Sequence, residues 1–295
     1  MEILYILSAA ILWGFDGLLR SQITNIRPVL IVFWEHLIGF LVIALYITWC
    51  KKRIHFPKAI IRPVILISIL SGIVGTYAFT KAGQITESSS IESIYLIQKL
   101  QPIFTILGSI IILREKPKIS FWLWTFIALI SSFYITYNPK MAKELWSVSK
   151  NINLQASLFA LIAACGWGFS TIFSKMALKY TTPLSVLILR FGLTAFFTIP
   201  ALFLAKAPLD SLFINTDSLV TLFIITLSTG MLATFIYYDG LKKIPAHIVS
   251  ILELAFPVTG FMVSQLNSGF SLQPIQVVAV LTLLICMFQV VRLIK

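Results

Sequence analysis

Nine ionisable side chains fall within the long apolar stretches of this chain: Asp16, Glu35, His36, Glu92, Lys99, Arg190, Asp239, His247 and Glu253. A charge at the centre of a bilayer costs between about 2.5 and more than 10 kcal/mol, so such residues are candidates for handling a substrate or an ion. The acidic pair Glu35 and Glu253 with the basic pair Lys99 and Arg190 suits a zwitterionic ligand. Glu253 has no lysine beside it, so it can take up a proton or bind a substrate ammonium; a fixed bridge to Arg190 or Lys243 is the structural alternative.

Spacing sharpens these assignments. Glu35 follows Pro28 as Arg190 follows Pro183, which puts each roughly 10 Å into its segment at a helical rise of about 1.5 Å per residue. Glu35 either joins the site or pairs with a residue of the first or third segment, and Arg190 either joins the site or snorkels towards lipid phosphates. Glu92, Tyr95, Lys99 and Pro102 share one face of a fourth helix at spacings of three, four and three, with Gln98, Gln101 and Thr105 on the adjoining face. That polar stripe belongs against the bundle interior or a water-filled cavity. Lys99 there binds a substrate carboxylate or phosphate, or pairs with Glu92 or Glu35.

Ser250, Glu253 and Pro257 form the corresponding face of a ninth segment. An internal proline removes a backbone hydrogen bond, tolerable at membrane depth only where protein or water replaces it. Pro102 and Pro257 are therefore assigned to coupling or gating, together with Asp16, Glu92 and Asp239. Tyr95, Gln98, Trp13 and Trp167 join Glu35, Lys99, Arg190 and Glu253 as substrate-binding candidates, and Tyr77, Tyr237 and Tyr238 as possible cavity walls. His36 and His247 are hydrogen-bonded structural residues or members of a proton relay.

The elements that must hold these residues are membrane spans. Of the 295 residues 58% are hydrophobic and 12% charged, with a mean hydropathy of +0.94, whereas soluble domains carry roughly a quarter charged residues. A span needs about 20 mostly apolar residues. Ten fit, near 3–21, 29–50, 63–81, 90–113, 119–138, 154–178, 184–206, 218–240, 246–266 and 274–292. The first carries no basic leader and holds Asp16, unlike a cleavable signal. Cys50, Cys165 and Cys286 have no paired spacing and read as small hydrophobes. No nucleotide-binding, zinc or thiol motif is present, so neither ATP-driven transport, metal nor cofactor is expected.

The chain also repeats itself. Ala9-Ala10-Ile11-Leu12-Trp13-Gly14-Phe15 returns as Ala163-Ala164-Cys165-Gly166-Trp167-Gly168-Phe169, and Pro28 and Pro102 return as Pro183 and Pro257. Residues 1–145 and 146–295 are read as two five-helix units. Five is odd, so the second unit enters the membrane inverted, a transporter architecture with its site between the halves. Of the basic residues in the loops and at the span ends, fourteen lie in alternate loops and the C-terminal end and seven, Arg20 among them, in the opposite loops; by the positive-inside rule both termini are cytoplasmic. The net charge of +12 thus reflects membrane orientation, not nucleic-acid binding.

The paired Ala-Ala-x-x-Trp-Gly-Phe, the stretch from Pro245 to Pro257, and Gln101-Pro102 followed by Leu113-Arg114-Glu115 resemble the drug/metabolite transporter superfamily, in particular its bacterial EamA-type members. The resemblance covers essentially the whole chain. Two departures are Asn267-Ser268-Gly269, where a Gly-Glu pair is frequent, and about four extra residues around Glu87 to Ser90. What it implies is an all-α membrane carrier of the inner membrane that exports or exchanges small metabolites on a gradient, not an enzyme. Combined with the mixed charges, the expected substrate is an amino acid or related zwitterion; a sugar phosphate, nucleotide sugar or cationic drug is the alternative. A proton is the candidate coupling ion, and the carrier works as a monomer or homodimer.

Overall fold

A computed structural model describes residues 1–85, 91–136, 154–204, 215–268 and 273–294; the side chains of Glu92 and Tyr95 lie outside the described residues. Among the described residues the regular structure is entirely helical. The elements are α1 (Glu2–Gly14), α2 (Asp16–Arg20), α3 (Pro28–Trp49), α4 (Ile61–Ile67), α5 (Thr76–Ile85), α6 (Ile91–Gln98), α7 (Gln101–Ile111), α8 (Ile119–Thr136), α9 (Leu154–Leu178), α10 (Pro183–Leu204), α11 (Thr216–Ile225), α12 (Ala233–Lys243), α13 (Ala246–Leu252), α14 (Ala255–Ser268) and α15 (Pro274–Arg292). Eight continuous stretches are long and apolar enough to cross a membrane, and Leu96–Ile111 and Ile119–Ile135 are shorter apolar helices.

Burial is inverted relative to a soluble protein. Trp49, Phe126, Phe203 and Phe288 are exposed on the outer face, while Glu35, Gln98, Lys99 and Glu253 are each at most 5% exposed. An apolar exterior around a polar interior is what a helix bundle in hydrocarbon requires, since lipid neither solvates charge nor penalises exposed leucine.

Packing follows a paired scheme. α1 lies against α12 and α14, and α9 lies against α5 and α7; α3 packs on α10, and α8 on α15. Small residues permit the crossings. A Cβ on Gly168 would sit 2.9 Å from the Gln101 carbonyl and 2.7 Å from Phe104 Cβ, and one on Gly14 would sit 3.0 Å from the Gly260 nitrogen. The repeated Trp-Gly-Phe is thus a close-approach device between membrane helices.

Two spans contain a wide π turn at corresponding places: Ser68–Gly75 joins α4 to α5, and Thr226–Leu232 joins α11 to α12. Such turns loosen the backbone ladder and often mark functional sites. Each repeated tryptophan closes one of them. Trp13 donates to the Thr229 carbonyl at 3.0 Å, and Trp167 donates to the Ser71 carbonyl at 3.3 Å.

The prolines act differently from the expected mid-helix kink. α6 stops at Gln98 and α7 begins at Gln101; α13 stops at Leu252 and α14 begins at Ala255. Pro102 and Pro257 therefore stand in the first turn of a new helix, where a missing N–H leaves nothing unsatisfied. The continuous face expected for Glu92 through Pro102 is corrected accordingly: the break falls at Lys99 and Leu100, ahead of the proline.

The junction of α12 and α13 is held from both sides. Lys175 Nζ donates to the carbonyls of Leu241 at 2.6 Å and Ile244 at 2.5 Å. Glu115 accepts from the backbone nitrogens of Ala246 at 2.8 Å and His247 at 3.1 Å, and lies 2.5 Å from His247 Nδ1. Burial opposes the charge of Glu115, but these donors outweigh it and hold its carboxyl below the ordinary carboxylate range. Its stabilisation is therefore complete above an unfolded pKa of about 4.3 and is lost as pH falls through the lower folded value. Glu115→Gln is expected to lower stability at neutral pH by about 1–2 kcal/mol, as for a lost helix cap. Thermal unfolding of wild type should also fall more steeply than that of the variant below about pH 4.5.

Candidate functional site: a charged cavity between the two helix breaks

A cavity of about 460 Å³ opens at the centre of the bundle. Its walls come from α1, α3, α9, α10 and α12, from the two π turns, and from both helix breaks. Volumes of 300–1,000 Å³, roughly, are those of small-molecule sites.

Of the residues expected here, Trp13, Asp16, Glu35, Gln98, Lys99, Trp167, Arg190, Glu253 and Pro257 line the cavity. Pro102 and Asp239 do not: Pro102 sits behind the break it follows, and Asp239 lies on the last turns of α12 near Lys242 and Lys243. For Glu92 and Tyr95 the assignment lies outside the described residues.

The ion partners differ from the expected ones. Glu253 bridges neither Arg190 nor Lys243. It accepts from Tyr237 at 2.5 Å and from Gln101 Nε2 at 2.8 Å, and Lys243 pairs instead with Glu2 at 2.8 Å. The network continues through Gln101 Oε1, which accepts from Gln98 Nε2 at 3.0 Å, and through Tyr237, 3.1 Å from Thr171 Oγ1. Glu253 sits at the break of its span as Lys99 does at the other, so the two breaks bring opposite charges into one chamber. Lys99 Nζ donates to the Ser132 carbonyl on α8 at 2.6 Å.

Glu35 is paired, as one sequence alternative held, with a residue following helix α1. Arg20 reaches it at 3.0 Å and simultaneously holds Asp16 at 2.6 Å; Asp16 accepts from Thr229 at 2.6 Å. Asp16 thus ties α2 to the π turn Thr226–Leu232. Arg20 was counted as a loop residue; its spacing of four from Asp16, a favourable ion-pair spacing on a helix, was the available signal. Arg190 does not snorkel. Its Nη2 donates to Ser71 Oγ at 2.7 Å and its Nη1 to Tyr238 at 3.3 Å, and it faces the cavity. Both histidines are hydrogen-bonded: His36, which also lines the cavity, bonds the Val32 carbonyl through Nδ1 at 2.8 Å with its ring against Phe191, and His247 meets Glu115.

Aromatic rings complete the chamber. Trp13 packs against Tyr237 with centroids 5.1 Å apart, and Phe79 against Trp167 at 5.2 Å. The site can stack a flat ring, hydrogen-bond its edges through Gln98 and Gln101, and compensate charge of either sign. Among the described residues no group of three or more metal-ligating side chains occurs.

Comparison with known proteins agrees with this architecture. The chain is 28% identical over 290 residues to the riboflavin transporter ImpX of Fusobacterium nucleatum, spanning 97% of this chain and 95% of that protein. It is 24% identical over 275 residues to the uncharacterized transporter YwfM of Bacillus subtilis, spanning 92% and 87%. A protein crystal structure superposes with a TM-score of 0.76 over 99% of this chain and 98% of its own, at 14% identity, a likeness of fold alone. The profile of the EamA-like transporter family matches residues 1–137 and 154–292, and with the apolar bundle around a central charged chamber, this chain belongs to that family: it is a transporter and not an enzyme.

Proposed function

We propose that this protein is a gradient-driven carrier of the inner (cytoplasmic) membrane, with ten spans in two inverted five-helix repeats, 1–145 and 146–295, and both termini cytoplasmic. It exports or exchanges a small polar metabolite by alternating access. The paired packing, the two π turns closed by Trp13 and Trp167, and the two helix breaks support the repeat; the fourteen-to-seven distribution of basic residues supports the orientation.

The observation that carries the substrate reading is the chamber itself: about 460 Å³, with indole and phenol walls and two glutamine amides at the rim of the breaks. A polar heteroaromatic compound uses all of these features, since ring stacking contributes about 0.5–1.5 kcal/mol per aromatic partner beyond burial. Riboflavin, the compound in the name of one relative, is the first ligand to test. The second reading is a zwitterion such as an amino acid, favoured by Arg190 and Glu253 both facing the chamber. The coupling ion is assigned as the proton, carried by Glu253.

Counterflow in proteoliposomes separates the readings. Vesicles preloaded with riboflavin are expected to take up labelled riboflavin several-fold faster than empty ones, and preloaded amino acids should not accelerate it. Acceleration by one amino acid class alone would move the substrate to the zwitterion reading. No counterflow with either would end both.

A further inference from the structure

The two matched corners of the chamber carry different charge. In register with Trp13 and Trp167, Asp16 corresponds to Ser170 and Arg20 to Ser174, while Glu35 corresponds to Arg190 through the prolines that begin α3 and α10. The first corner is a closed ion triad in which Arg20 holds both Asp16 and Glu35. In the second corner hydroxyls stand in place of Asp16 and Arg20, and a cation, Arg190, stands in place of Glu35.

Among the described residues Arg190 makes no direct ion pair, although its charge acts on Glu35. Its side chain bonds only neutral hydroxyls, Ser71 Oγ and Tyr238, and its Nε is buried without a partner. Tyr238 in turn accepts from Ser174 Oγ at 3.2 Å. A guanidinium inside a membrane protein without a counter-ion is costly, and it presents planar paired donors suited to an oxyanion. Ser71, Ser170, Ser174 and Tyr238 also line the cavity; Ser170 donates to the Trp167 carbonyl and Ser174 to Tyr238, while Ser71 and Tyr238 accept from Arg190.

We infer that Arg190, with Ser71, Ser174 and Tyr238, forms an oxyanion subsite that receives a carboxylate or phosphate group of the transported molecule. The inference rests on the chamber being the substrate site: compounds bearing such a group beside their ring or polar body bind it most tightly, and neutral riboflavin is a weaker ligand. The anion gives Arg190 a directly bonded counter-ion, as Arg20 gives Glu35 in the opposite corner.

Quenching of tryptophan fluorescence in the detergent-purified full chain tests this, because Trp13 and Trp167 line the chamber. The probes are riboflavin and flavin mononucleotide, which differ by one phosphate ester, plus inorganic phosphate and succinate read by thermal shift. Flavin mononucleotide should bind at least tenfold more tightly than riboflavin, and Arg190→Gln should bring that ratio close to one. Ser71→Ala, a gentler change, should reduce the ratio several-fold and guards against a folding defect in the first variant. A ratio equal in wild type and both variants overturns the subsite. If neither flavin binds, the flavin reading fails by itself. Phosphate or succinate that stabilises wild type but not Arg190→Gln then still sustains the subsite and distinguishes the two anions; equal or absent stabilisation overturns it.

Discussion

Replacing Glu253 with Gln is expected to abolish proton-driven accumulation of substrate while sparing exchange. Glu253 is 4% exposed and its two partners, Tyr237 and Gln101, are neutral donors. With the carboxylate charged, Tyr237 donates to it. When a proton arrives, the new carboxyl O–H donates to the Tyr237 oxygen, Tyr237 turns to Thr171 Oγ1 at 3.1 Å, and Thr171 donates to the Trp167 carbonyl at 3.3 Å. The chain reverses without orphaning a buried polar group, so both charge states are accommodated at little cost. Asp16, Arg20, Glu35, His36, Lys99, Arg190, Tyr237 and Tyr238 are the other titratable or charged groups lining the chamber. One proton coupled across two pH units sustains an accumulation of up to about 100-fold, each unit being worth about 1.36 kcal/mol. Wild-type vesicles should approach that ratio and Glu253→Gln should stay near unity, with counterflow rates within about threefold because the amide copies the protonated carboxyl. Accumulation that persists in the variant would remove Glu253 from the coupling role.

The second large effect is expected at Arg20. It is the only cation among the described residues bonded to Asp16 and Glu35, and Asp16 also anchors Thr229 in the π turn. Arg20→Gln leaves the buried Glu35 and the partly buried Asp16 without their cation, a loss of about 3 kcal/mol, the lower end for broken buried pairs. Thermal unfolding in detergent should reveal it. Combining Arg20→Gln with Glu35→Gln should recover part of the loss, because the second change removes one stranded charge. Strictly additive losses would mean that the pair is not coupled and that the triad is incidental.

Much of this molecule was legible before its structure. Long apolar runs identify membrane helices without reference to partners, since in lipid each helix satisfies its own backbone. The repeat of Trp-Gly-Phe and of the two prolines located the tryptophans that close the π turns and the spans that break. The glycines beside those tryptophans were visible as motif, and their purpose, contact with Gln101 and Thr259, was not.

What only the tertiary structure decided was the pairing of charges. Composition put Glu35, Lys99, Arg190 and Glu253 inside the bundle, but which side chains meet depends on how each helix is rotated and on where a break reorients it. The break lies two to four residues ahead of each proline, which turned Lys99 onto the Ser132 carbonyl and Glu253 onto Tyr237 and Gln101. Arg20, read as a loop cation, folds inward because a five-residue helix follows the bend at Phe15. Local sequence dictates where hydrocarbon ends and charge begins; contacts between residues 15 to 216 positions apart, such as Arg20 with Glu35 and Trp13 with Thr229, arise only when the apolar segments pack around one polar space.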